Sequence, residues 1–572
     1  MSRAAPRRTA SHARRTPAAH SLPSTPTLTL TITACLIVKN EEYHLPRCLA
    51  SLRRTVDEIV LVDTGSTDST IEIARAAGAR IFHFPWCNDF GAARNESLRH
   101  ATGDWAVWVD ADEELVELQP GILHELCRQV PADCVGLWTR CQNLSNEQGE
   151  IGSIAQQWRI FRNHRQAHFE GAIHEQLRLP AGQEVRLVPQ EQAFIRHWGY
   201  IPRPGVLEQK AERNRTLIEA TVEADPSEPF NHYCLGKQLA GENRFAEALP
   251  HLENAIRLWQ ERGQPNYAFL SNLFTAAMIS ALNTGDLPRV LSLEQLIPPA
   301  FVTADTLFQV GVALWKTGQA EQAIQRFERA SGDTSVQAGF ETDPSYSTWR
   351  PLNALAELHA ELGNIGAAYE YAERAAGYPP DRPNVLYALA YLSAARQDYQ
   401  NCVRWSRRLL AAQPDNVYKP QARRLLLNMG SATTDADLVL EATTGDVLGV
   451  PEPERLLLRA NAHLAAGNPH DGRETLGAAV RKFPTDFPLR LALTEVLDAA
   501  GDHQNALRVL AEGLDQPNPP AKLYIRLARM LAAQGRLDDA ANALSLASRG
   551  LPAMSDGVGQ PRETCRVQPD GW

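Results

Sequence analysis

Apolar runs that end in acidic residues mark the first part of the chain. Segment 58–63 (EIVLVD) and segment 104–114 (DWAVWVDADEE) each carry acids at the end of a nearly continuous apolar stretch. Short continuous apolar runs are typical of buried strands in a parallel sheet. In open parallel sheets, ligands bind outside the carboxyl ends of the strands. The pattern therefore predicts a sheet with acidic side chains gathered at one edge.

Asp110 and Asp112 continue the second of these strands at its carboxyl end. Because side chains alternate across a strand, an Asp-x-Asp pair there directs two carboxylates the same way. Oxygen ligands of this kind suit Mg²⁺ or Mn²⁺, which usually share their coordination with substrate phosphates. Asp63, at the end of the other strand, is expected at the same edge. Either a solvated strand end or a helix cap explains each acid singly, but together they predict a nucleotide site.

The second half of the chain repeats a helical pattern. Its clearest period is 34 residues, since Gly467, Gly501 and Gly535 are separated by 501−467 and 535−501. This period and the small residues that share it resemble tetratricopeptide repeats. Looser copies extend upstream and give roughly eight helix pairs over residues 227–550, with an irregular break near 415–450. Such arrays present a long concave surface that binds other proteins.

Four segments of the first part resemble family 2 glycosyltransferases of the GT-A fold, in order and in spacing. They are TACLIVKNEE (33–42), VDEIVLVDTGSTDST (56–70), FGAARNESL (90–98) and ATGDWAVWVDADEE (101–114). The match is strong over residues 31–115 and weaker to about residue 215. The expected fold class is an α/β nucleotide-sugar-binding GT-A domain followed by an all-α tetratricopeptide solenoid. The expected boundaries are 28–215 for the first domain and 227–550 for the repeats.

The resemblance implies roles for individual residues. The residues implied to bind the nucleotide sugar are Lys39, Asn40, Asp63, Arg94 and Asp110. Those implied to bind a divalent metal, Mg or Mn, are Asp110, Asp112 and His174. Transfer from a nucleotide sugar develops negative charge on the leaving diphosphate, and a cation placed beside it lowers that barrier.

A general base must also remove the proton of the acceptor hydroxyl or thiol. Segment 169–177 (FEGAIHEQL) resembles the region that supplies this base, and Glu175 is the candidate. Alternatively, Glu175 is an exposed loop acid and His174 a hydrogen-bonded structural histidine. Glu170 and Glu113 are the substitutes if Glu175 is not the base.

Two further residues, Asp68 and Lys210, have two interpretations each. Asp68 either belongs to the site or caps a helix at residues 69–77, and the cap is favoured because Asp accepts bonds from the first amides of a helix. Segment 197–200 (HWGY) and Lys210 resemble the closing part of such domains and are candidates to cover the donor. A solvated helix face also explains Lys210, and this interpretation is favoured.

Composition restricts the class of protein. With 572 residues, 44% hydrophobic and 22% charged, the chain is typical of a multidomain globular protein. Its net charge of −10 argues against a nucleic-acid-binding surface. The mean hydropathy is −0.31, and no apolar run has the length of a transmembrane segment. Nine cysteines without a Cys-x-x-Cys pair favour free thiols in the cytoplasm. A lipid-linked acceptor would require peripheral contact with a membrane.

Both termini are expected to be disordered. Residues 1–27 are rich in Arg, Pro, Ser and Ala and contain no acid, which predicts a disordered basic leader. A transit peptide and a wrongly assigned start codon fit the same composition, whereas the absence of an apolar core excludes a secretory signal. The tail, residues 551–572, is expected to be disordered as well.

Several functions remain open from sequence. The leading hypothesis is a metal-dependent inverting glycosyltransferase whose repeats position a protein or peptide acceptor and bind protein partners. The alternatives are a repeat scaffold with an inactive transferase domain, and a transferase that builds cell-surface glycans of the lipopolysaccharide type. Nucleotidyl transfer is disfavoured, since VKNE (38–41) stands where a Gly-rich loop with Arg is needed. Dehydrogenase, ATPase and zinc-protease motifs are absent from the sequence.

Overall fold

We describe the chain from a computed structural model that covers residues 30–163, 167–179, 187–199, 201, 206–332, 341–412 and 416–549. The expected leader and tail lie outside the described residues. The chain divides into two compact units, one formed by residues 1–309 with 334–344 and the other by 310–333 with 345–572. Each unit is described separately.

The first unit is built on a nine-stranded mixed sheet, in the order β3-β2-β1-β4-β7-β6-β10-β5, with β11 paired to β7. A separate hairpin is formed by β8 and β9. The strands are β1 (Ile32–Val38), β2 (Glu58–Asp63), β3 (Arg80–His83), β4 (Trp105–Trp108), β5 (Glu113–Glu117), β6 (Gly136–Leu144), β7 (Ile151–Arg162), β8 (His168–Glu170), β9 (Gln176–Arg178), β10 (Leu187–His197) and β11 (Glu341–Thr342).

Strands β3, β2, β1 and β4 are parallel, as the apolar runs predict. The side chains of β1, β2 and β4 are mostly buried on both faces, with Leu36, Leu61 and Trp105 fully inaccessible to solvent, whereas β3 at the edge is partly exposed. Burial of each such side chain contributes roughly 1.5–3 kcal/mol to stability. Since the four strands run the same way, their carboxyl ends meet at one edge, where the acidic residues follow.

The first helices of this unit flank the sheet, and the later ones form helix pairs. The helices are α1 (Leu45–Thr55), α2 (Thr70–Ala76), α3 (Phe90–His100), α4 (Ile122–Gln129), α5 (Val206–Ala224), α6 (Pro229–Gly241), α7 (Phe245–Glu261), α8 (Leu270–Asn283) and α9 (Leu287–Leu296). The next helix, α10 (Ala304–Lys316), includes the residue at which the second unit begins.

The second unit consists of further helix pairs. Its helices are α11 (Ala320–Gly332), α12 (Trp349–Glu361), α13 (Ile365–Ala376), α14 (Pro383–Ala395), α15 (Tyr399–Ala411), α16 (Lys419–Thr433), α17 (Ala436–Ala442), α18 (Glu452–Ala465), α19 (Pro469–Lys482), α20 (Phe487–Ala499), α21 (His503–Leu514), α22 (Ala521–Ala533) and α23 (Leu537–Arg549). The three glycines of the 34-residue period lie in the turns between helices, with φ of 78°, 79° and 78°. This left-handed conformation is costly for residues with a Cβ atom, which explains the glycines.

The eighteen helices α6–α23 make nine pairs rather than eight. The additional pair is α16 with α17, inside the expected break at 415–450. Its turn contains Thr434 at φ 55° instead of a glycine, and α17 has only 7 residues. Without the glycine signal and with so short a second helix, the pair is not recognisable from the period.

The fold class is confirmed, with one difference. The helical part is not entirely α, because β11 lies between α11 and α12 and pairs antiparallel with β7. None of the described helices combines the length and the hydropathy needed to cross a membrane.

Candidate active site

Asp110 and Asp112 occupy the loop that connects β4 to β5. The loop begins with a hydrogen bond from Val109 N to Cys35 O of β1 (3.1 Å), which continues the parallel ladder by one residue. The amide of Asp110 then donates to Glu113 Oε2 at 2.8 Å, closing a tight turn. The strand therefore ends where the sequence predicts, and the turn directs the acidic pair to the carboxyl edge of the sheet.

Arg94 of α3 joins two of the predicted site residues. Its guanidinium donates to Asp110 Oδ1 at 2.7 Å and also to Glu175 Oε1, and it lies over the Trp108 ring at 4.4 Å. Only 6% of Arg94 is exposed. Burial by itself lowers the pKa of Arg94, but the charges of Asp110 and Glu175 raise it. Arg94 is thus a permanent cation between two carboxylates.

The pKa of Asp110 reflects the same arrangement. Burial raises this pKa, but the charges of Arg94 and Arg159 lower it by a larger amount, so the net shift is downward. Asp110 is consequently ionised at neutral pH. An ionised carboxylate at this position is the state that metal or ribose binding requires.

Glu175 is presented by the β8–β9 hairpin. The hairpin turn contains Gly171 at φ 105° and His174 at φ 52°, both in the left-handed region. Helix α3 fixes the turn through a hydrogen bond from Phe90 N to Ala172 O at 2.8 Å. Glu175 is therefore held against Arg94 by backbone contacts and is not an exposed loop acid, since its side chain is only 10% exposed.

Asp112 lies beside basic side chains from the two segments that the sequence makes candidates to cover the donor. His197 Nε2 and Lys210 Nζ each lie 3.5 Å from an Asp112 carboxylate oxygen. The pKa of Asp112 is raised by burial and lowered by the His197 hydrogen bond and by the charges of His197 and Lys210, and the lowering dominates. Conversely, burial lowers the pKa of His197, but Asp112 raises it above the usual value.

Pairing of β10 with β5 places His197 beside Asp112. His197 lies opposite Glu113 in the antiparallel ladder, and Trp198 N donates to Asp112 O at 2.9 Å. Gly199 follows, and a Cβ atom there would lie 2.3 Å from Asp112 Oδ2. The glycine in the HWGY segment thus leaves room for the carboxylate. Segment 197–199 is part of the site, and Tyr200 lies outside the described residues.

The nucleotide-binding candidates at β1 and β2 form a neighbouring wall. Buried Asp63 accepts hydrogen bonds from Gly65 N (3.1 Å) and Ser66 N (3.0 Å). Asn40, at φ 55°, accepts from Thr67 N at 2.8 Å. These bonds tie the ends of two parallel strands together through one turn. Lys39 is exposed next to them.

Asp68 bonds to the start of α2, although the N-cap position itself is Ser69. Its carboxylate accepts from Thr70 N at 3.0 Å and from Glu42 N at 3.2 Å. These bonds satisfy an amide at the start of α2 and connect it to the loop after β1. Helix α2 begins at Thr70, one residue later than expected.

The two substitute bases have other partners. Glu113 is only 1% exposed and accepts from both terminal nitrogens of Arg159, at 3.0 and 2.9 Å. Both Glu113 oxygens are engaged in this buried pair, whereas Arg94 engages only Oε1 of Glu175, so Glu113 is part of the support of the site. Glu170 is exposed and pairs with His168 and Arg178. Glu175 remains the candidate base.

The predicted metal ligands are distributed unevenly. Asp110 and Asp112 follow the same strand, whereas His174 is not among the neighbours of Asp112 that the described contacts record. The histidine beside Asp112 is His197, which is not one of the predicted ligands. Across the described residues, a single group of three possible ligands lies within 4.8 Å, namely the exposed His470, Asp471 and Glu474. The chemistry at the sheet edge nevertheless fits a hard divalent cation, since Asp110 and Asp112 are held ionised.

Comparison with known proteins identifies both parts of the chain. Residues 33–176 match the family model "Glycosyl transferase family 2", and residues 457–520 and 521–545 match tetratricopeptide repeat models. A TPR repeat-containing protein of Synechococcus elongatus is 29% identical over 61% of this chain and 76% of its own length. Both predicted resemblances are confirmed.

Other relatives are named as transferases. The SPbeta prophage-derived glycosyltransferase SunS of Bacillus subtilis is 27% identical over 48% of this chain and 65% of its own length. An uncharacterized glycosyltransferase of Rickettsia felis is 42% identical over 16% of this chain and 32% of its own. Staphylococcus aureus TarS 1–349 is a solved structure with 14% identity, a TM-score of 0.27 and coverage of 46% of this chain and 90% of that chain.

Proposed function

We propose that this chain is a glycosyltransferase with a family 2 domain followed by tetratricopeptide repeats, and that it is metal-dependent and inverts the transferred sugar. The donor is a nucleotide sugar, bound at the carboxyl edge of β1, β2 and β4. The acceptor is a protein or peptide positioned by the repeats. The proposal deepens the transferase assignment by naming the residues that act on each side of the sugar.

The observation that supports this proposal best is the convergence of carboxylates from distant segments on one buried cation. Arg94 bonds to Asp110, 16 residues away, and to Glu175, 81 residues away. A pair of carboxylates joined by one guanidinium in this way divides the site into a side for the nucleotide and a side for the acceptor. An inactive scaffold has no need of such an arrangement, so we favour the enzyme over the scaffold.

On the acceptor side, Glu175 is proposed as general base. Its carboxylate takes the proton of the acceptor hydroxyl or thiol while the acceptor forms a bond to the anomeric carbon. The bond from that carbon to the nucleoside diphosphate breaks, and the leaving oxygen keeps the electron pair. One such displacement inverts the anomeric centre. Arg94 orients Glu175 for this step and keeps its charge compensated.

On the donor side, Asp110 and Asp112 are proposed to hold Mg²⁺ or Mn²⁺, with His197 adjacent. The cation, when bound, stabilises the charge that develops on the leaving diphosphate. Lys210 adds positive charge at the same place, 3.5 Å from Asp112. Asp63 and Asn40 line the neighbouring wall, where base and ribose are expected, and Lys39 is exposed beside them.

The repeats are proposed to bind a polypeptide, either as acceptor or as partner. Their helix pairs resemble a class of module that binds proteins on a concave face. A cell-surface glycan acceptor is the alternative. The cytoplasmic location expected from the cysteines also stays a proposal, and the eight described cysteines are free thiols.

Thermal stabilisation by nucleotide sugars tests the donor side. A ligand at about 100 times its Kd stabilises the native state by about 2.7 kcal/mol. We expect one nucleotide sugar from a panel of UDP, GDP, TDP and CMP sugars to raise the melting temperature in the presence of Mn²⁺. The shift should disappear in Asp112→Ala.

Asp471→Ala is the matched control, because Asp471 belongs to the exposed group that is the other possible cation site. It should retain the full shift. If the shift is lost in Asp471→Ala and kept in Asp112→Ala, the metal binds at that exposed group and not at the sheet edge. Absence of any shift in the wild-type protein would favour the scaffold.

A further inference from the structure

The strand β11 extends the catalytic sheet with residues from far along the chain. Glu341 pairs with Ala155 and Thr342 with Ile154, about 190 residues apart in sequence by this register. Asn272 of α8 fastens the strand from the other side, donating to Glu341 O at 2.8 Å and accepting from Glu341 N at 3.4 Å. Backbone contacts therefore fix the position of the Glu341 Cα atom, from which the side chain extends.

The Glu341 carboxylate points into a polar cluster under the site. Oε2 accepts from Lys237 Nζ at 2.6 Å. Oε1 accepts from Ser153 Oγ at 2.8 Å and from Asn143 Nδ2 at 3.3 Å. The charge of Lys237 lowers the pKa of Glu341 despite burial, so the carboxylate is ionised. An ionised carboxylate accepts hydrogen bonds and donates none.

Because the Glu341 carboxylate only accepts hydrogen bonds, it determines the orientation of the Asn143 amide. The nitrogen must point to Glu341 and to Ser153 Oγ, which lies at 2.8 Å. The amide oxygen then points to His197 Nδ1, at 2.9 Å. Since an amide oxygen only accepts, His197 donates from Nδ1 and turns Nε2 toward Asp112, 3.5 Å away, to which Nε2 also donates when the ring is protonated.

We propose that Glu341 is a positioning residue for sugar transfer, which acts through Asn143 to fix the tautomer and the orientation of His197 beside Asp112. The inference rests on the proposed function, because His197 matters for transfer only if Asp112 belongs to the donor site. It adds that the catalytic domain is completed by a strand inserted between two repeat helices. Hydrogen-bond partners behind a site residue typically affect metal affinity or activity by about 10- to 100-fold.

Glu341→Gln tests this directly. The Gln amide can donate as well as accept, so the Asn143 amide loses its fixed direction. We expect the apparent affinity for Mn²⁺ and kcat to fall by about 10- to 100-fold, with KM for the acceptor nearly unchanged. Asn143→Ala should have the same effect, and the double variant should be no worse than either alone, because both act on the same contact.

Asn272→Ala is the matched control. It removes a fastening of β11 without touching the route from Glu341 to His197. Activity near that of the wild type is expected, with a lower melting temperature at most. If Asn272→Ala lowers kcat as much as Glu341→Gln, the strand only holds the sheet together, and the proposal is overturned.

A spectroscopic measurement separates this inference from the proposed function. Two-bond ¹H–¹⁵N correlation spectra of histidine-labelled protein, without metal or donor and at a pH where imidazole is neutral, report the tautomer of each ring. His197→Gln identifies the signal. We expect the Nδ1–H form in the wild type and a mixture in Glu341→Gln and Asn143→Ala. An unchanged His197 spectrum in both variants would overturn the inference even if transfer is observed. The expected spectra would support it even if no donor binds.

Discussion

The sheet edge and the C-terminal repeats use charged residues in opposite ways. At the edge, Arg94 and Arg159 are almost fully buried and bridge carboxylates from distant segments. In the repeats, the pair between Arg407 and Glu441 is exposed and joins two nearby helices. When a buried cation is removed, water cannot take its place, and its carboxylate partner is left uncompensated. When an exposed cation is removed, water solvates the carboxylate that remains.

This difference indicates where function and stability reside. The repeats obtain their stability from local packing that recurs along the chain, as with Phe327, which is fully buried against the close approach of Gly311. The sheet edge depends on a small number of long-range polar contacts. We therefore expect single substitutions at the edge to have large effects on activity, and charge substitutions in the repeats to have small effects of any kind.

The largest expected effect is at Glu175. Glu175→Gln removes the proposed base while keeping shape and a hydrogen-bond acceptor for Arg94. Transfer should fall by about 10²- to 10⁴-fold, because proton transfer by a positioned side chain contributes that much. Nucleotide-sugar binding, measured by calorimetry, should remain. Glu147→Gln, at an exposed loop position, is the matched control and should be neutral. Near-normal turnover in Glu175→Gln would remove this residue from the mechanism.

The next largest effect concerns stability and compares a buried arginine of the sheet edge with an exposed arginine of the repeats. Arg159→Met leaves Glu113 buried without its cation, and we expect a loss of about 3–5 kcal/mol in the free energy of unfolding of the first unit. Urea denaturation followed by tryptophan fluorescence measures it. The counterpart in the repeats, Arg407→Met, breaks an exposed pair and should cost less than about 1 kcal/mol. Equal costs for the two variants would contradict the distinction between the regions.

The sequence predicted the local parts of this picture. The apolar strands that end at Asp63 and before Asp110 are visible because burial on both faces requires continuous hydrophobic runs. The glycines of the 34-residue period are visible because only glycine adopts the left-handed turn at little cost. Both signals lie within a few residues of the feature that they predict.

The rest depends on long-range pairing and has no local signal. His197 reaches Asp112 because β10 pairs with β5 in a particular register. Glu341 reaches Asn143 because two residues between repeat helices pair with β7. The turn at Thr434 has a residue other than glycine at a φ of 55°, so the glycine period does not reveal the pair of α16 and α17.

The central claim is that Asp110 and Asp112 hold a divalent cation that contacts the diphosphate of the donor. Anomalous diffraction from crystals grown with Mn²⁺ and the nucleoside diphosphate of the stabilising donor tests it most directly. We predict one strong manganese peak within coordination distance of the Asp112 carboxylate and of a diphosphate oxygen. A peak at His470, Asp471 and Glu474 with none beside Asp112, or a bound diphosphate without manganese, would contradict the claim.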